Sequence, residues 1–283
     1  MIDAKVITDS VNEWGNRLTT LQVVCHRFVL AEFNTHRVFS RNSASSRAIP
    51  VTKQLERIMY DPARPLEWPA EQPGMQGGAE LTGQDLEDAQ YLWDQAAAFA
   101  VGLIDQYVAD HEAKSSRLHK SLLNRLLEPF MWHTICVSST EWDNYFVQRC
   151  SPLAQPEIRA ASECMQRAID DSVPTQLSED QWHLPYVNEE DVVECDERGL
   201  DVRHVSAARC ARTSYLTQEG TRDLAEDIKL FDRLANPGEG PPHASPLEHV
   251  ATPRVDTDYE TDVLGNFEGW HQLRHEVFAP VAQ

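Results

Sequence analysis

Thr19-Thr20-Leu21-Gln22-Val23-Val24-Cys25 is the stretch that decides the class of fold. Its β-branched residues and partial alternation predict a strand. Working outward, Lys5 to Asp9 reads as a short strand before it. Phe28 to His36 reads as a short helix or turn that leads into a polar run, Ser40 to Arg47. Residues 61 to 84 open with DPARPLEWPAEQPGMQGG and read as a long surface loop, rich in Pro and Gly. Helical spacing takes over beyond it. Leu86 to Asp110 predicts an amphipathic helix with Leu92, Ala96, Phe99, Leu103 and Tyr107 along one stripe.

Ser116 to Leu127 predicts a second helix, ended by Glu128-Pro129, and Phe130 to Val137 another strand. Ser138 or Ser139 is the expected cap of a helix carrying Trp142, Tyr145 and Phe146. Helices are also expected over Ala154 to Ile169, Val205 to Thr213 and Asp223 to Leu234. Residues 173 to 202 read as irregular and acidic, 236 to 246 as a loop, and the tail from Arg254 as acidic and poorly patterned. The class is therefore α/β (α+β), a mixed sheet flanked by long helices in a single domain.

The chain has 45 acidic and 25 basic side chains among 283 residues, a formal charge of −20, and 41% apolar residues. That apolar content excludes wholesale disorder. A surface so acidic repels phosphate backbones, so a nucleic-acid polymer is not the expected partner. No run of 18 apolar residues exists, so no membrane span is expected, and the start lacks the pattern of a signal peptide. The six cysteines are scattered without a CxxC pair, which suggests reduced, mostly structural thiols in a cytoplasmic setting.

The few positive charges concentrate. Residues 26 to 47 hold Arg27, Arg37, Arg41 and Arg47 against one acid, Glu32, beside His36, Ser40, Asn42, Ser43, Ser45 and Ser46. Guanidinium forks, hydroxyls and an amide in one window make a phosphate and nucleobase receptor. A solvated polar loop gives the same composition. A second window, Lys114 to Leu127, holds Lys114, Arg117, Lys120 and Arg125, with Arg125 set in an apolar run that demands an anionic partner if buried. Arg117 and Lys120 would share one helix face. A third cluster is Asn144, Gln148, Arg149, Gln155, Glu157 and Arg159.

His36-Arg37-Val38-Phe39-Ser40-Arg41-Asn42-Ser43-Ala44-Ser45-Ser46-Arg47 resembles the signature of flavin-dependent thymidylate synthases. Asn42, Ser45 and Arg47 are retained, Thr35 replaces the first arginine of that signature, and Ser43 replaces its glutamate. Residues 142 to 159 (WDNYFVQRCSPLAQPEIR) resemble the family block with an asparagine, an arginine five residues on, and an AQxEI run. Residues 208 to 215 (ARCARTSY) and 243 to 249 (HASPLEH) resemble two further family segments. Those two precede the signature in most of the family and follow it here, so the resemblance implies a circular permutant, with residues 203 to 253 as the permuted segment.

The resemblance implies conversion of dUMP to dTMP, with methylenetetrahydrofolate as carbon donor, NADPH as reductant and FAD as hydride carrier. It implies that Arg149 polarises the uracil. His36, Arg37, Val38, Asn42, Asn144 and Ser245 correspond to flavin-contacting positions. Glu32, Ser43, Ala44, Ser45, Ser46, Arg47, Arg125 and Arg149 correspond to the nucleotide receptor. No cysteine nucleophile is required, and only Cys150, next to Arg149, has a suggestive neighbourhood. A homotetramer with flavin at subunit interfaces is also implied. Gln272 and Arg274 either fold back and supply the amide and charge the signature lacks, or belong to a frayed tail with an aromatic anchor. Two alternatives stay open. Glu32 would accept from the exocyclic amine of a cytosine, as in dCMP, for a methyl- or hydroxymethyltransferase, and the departures suit a non-catalytic nucleotide-binding homologue.

Overall fold

The computed structural model describes residues 1–112, 114, 116–217, 222–238, 241–254 and 265–278. In chain order the elements are β1 (Asp3–Val11), β2 (Arg17–His26), α1 (Leu30–Phe33), β3 (Ser40–Ser43), α2 (Val51–Tyr60), α3 (Gly83–Asp110) and α4 (Lys120–Arg125). They continue with β4 (Trp132–Ser139), α5 (Asp143–Arg149), α6 (Pro156–Asp170), β5 (Thr175–Gln176), α7 (Glu189–Glu197), α8 (Val202–Arg212) and α9 (Leu224–Ala235). The last are β6 (Ala251–Pro253), β7 (Trp270–Gln272) and α10 (Leu273–Val277).

The fold is α/β, built on a mixed sheet of order β3-β4-β2-β1-β5, in which only β5 runs parallel to its neighbour. The β1–β2 hairpin turns on Asn12, whose Oδ1 accepts from the backbone N–H of Trp14 at 3.1 Å and Asn16 at 2.9 Å. Successive strand residues face opposite sides. Leu21, Val23, Ile135 and Val137 face α6, whose Ile158, Ala161, Met165 and Ile169 recur at helical spacing. Burying each such large side chain is worth roughly 1.5–3 kcal/mol. Thr20, Ser138, Cys136 and Thr134 point the other way and are buried too, beneath residues 183 to 250. Both faces of the sheet are therefore covered, which is why the alternation in 19–25 is only partial.

α8 runs through the covering layer. Val205 to Ala211 are all buried, and a helix buried on every side must satisfy its charges internally. Arg209 does so with Asp191 at 2.6 Å, Asp227 at 2.9 Å and the Tyr186 carbonyl at 2.8 Å. Tyr186 adopts φ 63, a left-handed conformation that aims this carbonyl inward. Burial works against the Asp191 charge, but the Arg209 and Arg222 guanidiniums hold its carboxyl well below the usual carboxylate range.

Several sequence expectations change. β3 lies in the polar run and α2 in an unassigned stretch, because neither has strand or helix periodicity strong enough to read alone. α3 forms, but Leu92 is 71% and Phe99 69% exposed; Ala97 and Ile104 are the buried positions. The second helix begins only at Lys120, capped by His119, so Arg117 lies outside it and shares no helix face with Lys120. Neither serine caps α5; Trp142 occupies that position, while Ser139 Oγ accepts from the Glu141 N–H at 2.9 Å. The acidic stretch contains α7, started by a capping box between Asn188 and Asp191. The tail is patterned where described: β7 pairs with β6 and α10 follows. Its acidic run from 256 to 262 lies outside the described residues.

Candidate active site

Three sequence blocks meet at one edge of the sheet. His36 follows α1 and packs on an aromatic box, edge-on to Tyr145 at 4.7 Å and stacked with Phe39 at 5.8 Å. Phe33, Phe39, Trp142 and Tyr145 are all buried and in ring contact, so the imidazole has a rigid floor. Arg149, at the end of α5, donates from Nε to His36 Nε2 at 3.0 Å. Its Nη2 donates to Thr35 Oγ1 at 3.1 Å and to the Glu32 carbonyl at 3.4 Å. Arg41 Nη1 donates to the His36 carbonyl at 2.8 Å. Burial first, then the charges of Arg149 and Arg41, lower the His36 pKa. Neutral His36 is what lets Nε2 accept from a cation.

Thr35 stands where the signature has an arginine. It supplies a hydroxyl acceptor that fixes the Arg149 fork, a role an arginine could not take. Glu32 is half-buried, and its Oε2 is buried without a hydrogen-bond partner among the described residues.

Asn42 in β3 brings in the late segment. Its amide lies 3.4 Å from Ser245 Oγ and 3.0 Å from His249 Nε2. Ser40 Oγ donates to Glu248 Oε2 at 2.9 Å. The residues after β3 are held from two sides. The Ser45 N–H donates to the Ser214 carbonyl at 3.0 Å, and Ser46 Oγ donates to Glu128 Oε1 at 2.9 Å. Asn124 Nδ2 donates to the carbonyls of Ser46 and Ile49 at 2.9 and 3.0 Å. Ser43 and Ser45 are half-buried and Ala44 is buried within this pinned run.

The other positions sit on the surface. Arg37 and Arg47 are exposed, and neither forms an ion pair among the described residues. Val38 is also exposed. Asn144 is exposed and accepts from Gln148 Nε2 at 3.0 Å, a turn before Arg149. Arg125 is exposed too, because helical spacing turns Leu123, Asn124 and Leu127 inward and Arg125 outward, so it needs no buried anion.

Three readings are corrected. Glu157 and Arg159 do not join the site: Glu157 accepts from the Leu66 N–H at 2.8 Å, and Arg159 donates to Glu67 at 2.6 Å, so both hold the 61–84 loop. The Cys150 thiol is pushed up by burial and by Glu163, and Arg149 does not activate it. The tail folds back, but Gln272 Nε2 donates to the Glu248 carbonyl at 2.8 Å and Arg274 pairs with the Glu248 carboxylate. The Arg274 charge and the Gln272 NH2 are consumed there, while Gln272 Oε1 is buried without a hydrogen-bond partner among the described residues. Residues that sequence reasoning missed are Glu128, Asn124, Ser138 and Thr20, which touch the site only through another residue. His249 stood in a recognised segment without a role.

No family profile matches the sequence, and no curated protein matches it. Among solved structures, thymidylate synthase X from Helicobacter pylori with FAD and dUMP is 14% identical, at a TM-score of 0.37 over 54% of this chain and 67% of that one. A UMP/dUMP methylase, PolB, from Streptomyces cacaoi bound with 5-Br dUMP is 13% identical, at a TM-score of 0.42 over 60% and 90%. Likenesses this distant carry nothing about what this chain binds or does. No helix among the described residues is long and apolar enough to cross a membrane.

Proposed function

We propose that the chain is a flavin-dependent enzyme that methylates a pyrimidine mononucleotide, with dUMP as substrate and dTMP as product. The observation that carries this reading is the meeting of His36 and Arg149, 113 positions apart, beside an Asn42 that lies against Ser245 and His249. Residues 1 to 172 and the permuted segment 203 to 253 then serve one site in one domain.

The donor set fits a flavin dinucleotide. Exposed Arg37 has no carboxylate partner among the described residues and suits a pyrophosphate. Exposed Val38 suits a ring face, and Asn42, Asn144 and Ser245 suit its polar edge. When bound, FAD supplies the hydride, drawn from NADPH, that completes reduction of the carbon unit brought by methylenetetrahydrofolate.

The protein's own part is positioning and electrostatics. Arg149 is clamped through Nε and Nη2 by His36, Thr35 and the Glu32 carbonyl. Its remaining N–H groups are left for a pyrimidine carbonyl, where a fixed cation stabilises the anion formed as the ring gains charge. Ser45 and Arg47 receive the phosphate, Ser46 braces their run through Glu128, and Arg125 serves it from a separate helix. A cysteine thiolate is not part of this scheme.

One observation favours a second reading. The partnerless Oε2 of Glu32 accepts only, so it suits the exocyclic amine of a cytosine nucleotide. Incubating the protein with FAD, NADPH, methylenetetrahydrofolate and either dUMP or dCMP separates the two. Methylated uracil product supports the first reading, modified dCMP the second, and no product from either overturns both.

We further propose a homotetramer. Leu92, Phe99 and Leu103 share one face of α3 and are 71%, 69% and 52% exposed. A stripe of exposed apolar residues on one helix supports a subunit contact.

A further inference from the structure

Ser40, Ser138, Thr20 and Thr8 are direct cross-strand neighbours on β3, β4, β2 and β1. The result is a row of hydroxyls across the sheet face that residues 183 to 250 cover. Two buried histidines complete a continuous chain along this row. Asn42 lies 3.0 Å from His249 Nε2, and His249 Nδ1 lies 2.8 Å from Ser138 Oγ. Ser138 Oγ is 2.5 Å from Thr20 Oγ1, and Thr20 Oγ1 is 2.8 Å from His183 Nε2. His183 Nδ1 ends the chain 2.9 Å from Ser10 Oγ. Ser10, Thr20, Ser138, His183 and His249 are each at most 2% exposed.

Every internal member is a hydroxyl or an imidazole, and each can donate once and accept once along the chain. Such a chain has two self-consistent directions, since a break leaves a buried group unsatisfied; His249 Nδ1 also has Cys136 Sγ 3.9 Å away, a much longer contact than the 2.8 Å to Ser138. The direction is decided at the Asn42 end. With the Asn42 amide nitrogen turned inward, it faces three acceptors: His249 Nε2 at 3.0 Å, the Ser245 carbonyl at 3.1 Å and the Arg41 carbonyl at 3.3 Å. With the amide oxygen there instead, it would face two carbonyl oxygens and repel them. The outward atom has Ser245 Oγ 3.4 Å away, a hydroxyl that serves either role.

We infer that His249, Ser138, Thr20 and His183 form a buried hydrogen-bond relay that holds Asn42 with its carbonyl turned outward, poised to accept from a ligand N–H. The ligand chemistry, a ring imide of a flavin or pyrimidine, rests on the proposed function; the relay itself does not. Donation runs inward: Asn42 to His249, His249 Nδ1 to Ser138, Ser138 to Thr20, Thr20 to His183, and His183 Nδ1 to Ser10. These four are positioning residues, and none touches the ligand.

The direction is readable without ligand or turnover. Long-range ¹H–¹⁵N correlation on the full chain labelled with ¹⁵N-histidine reports which ring nitrogen carries the proton. The relay requires Nδ1–H at both His249 and His183. Nε2–H at His249 overturns it, whatever the protein binds. Thr20→Val then removes the central link at constant shape, and Thr20→Ser restores it. The expected result for Thr20→Val is mixed tautomers at His249 and roughly tenfold weaker FAD binding, both recovered in Thr20→Ser. A valine variant with Nδ1–H His249 and unchanged FAD affinity contradicts the relay. Nδ1–H tautomers in a protein that binds neither FAD nor dUMP sustain the relay and sink the proposed function alone.

Discussion

Arg149 Nε donates to His36 Nε2 at 3.0 Å, so the imidazole must be neutral and protonated on Nδ1 to hold the guanidinium. Arg149→Lys keeps the charge and loses the clamp, because a lysine cannot reach three acceptors with a planar fork. The expected loss in kcat is roughly 100-fold or more, with the flavin spectrum and folding unchanged. Steady-state kinetics with dUMP checks it, and wild-type turnover in the lysine variant would show that the clamp is irrelevant.

His133 and His183 are both driven down to about 3 by burial, His133 with further pressure from Arg27 and Arg57. Their ordinary value is 6.5, so below that pH the unfolded chain binds protons that the folded chain refuses. Their contribution to stability is full above the unfolded pKa and is lost progressively as pH falls from there toward the folded value of about 3. From pH 7 to pH 5 each costs about 2 kcal/mol, before carboxylates titrate. Urea midpoints across that range check the slope, and His133→Gln should flatten it.

Arg209 is buried against Asp191 and Asp227. Arg209→Ala leaves two carboxylates buried without their main partner and is expected to cost about 3–5 kcal/mol. Asp227→Asn should cost less, because Asp191 still pairs with Arg209, although the amide keeps one acceptor oxygen and turns its NH2 toward the other guanidinium. Chemical denaturation of the two variants gives the comparison.

Phe99→Glu with Leu103→Glu places charge on the exposed stripe of α3. If that stripe joins subunits, sedimentation shows the assembly falling apart while the far-ultraviolet spectrum is kept. A wild-type protein that sediments as a monomer removes the assembly altogether.

The strands β1, β2 and β4 and the helices α6, α8 and α9 were legible because each carries its own periodicity. Ser40 to Ser43 has none, being polar throughout, and it is a strand only because β4 offers it a free edge. The α3 stripe is legible from its spacing alone, yet Ala97 and Ile104 are the buried positions; periodicity gives a face, not what covers it. The charged window around residues 26 to 47 was visible in composition. The partners that aim it were not, since Glu128, Asn124 and His249 lie 78 to 207 positions from the residues they touch and share no local pattern. Thr35 read as a lost arginine, and only the Arg149 contact gives it a purpose.

The visible absorption spectrum of the purified protein tests the central claim most directly. The account predicts a bound flavin band that NADPH bleaches and that shifts when dUMP is added. A colourless protein that takes up no FAD and oxidises no NADPH would contradict it.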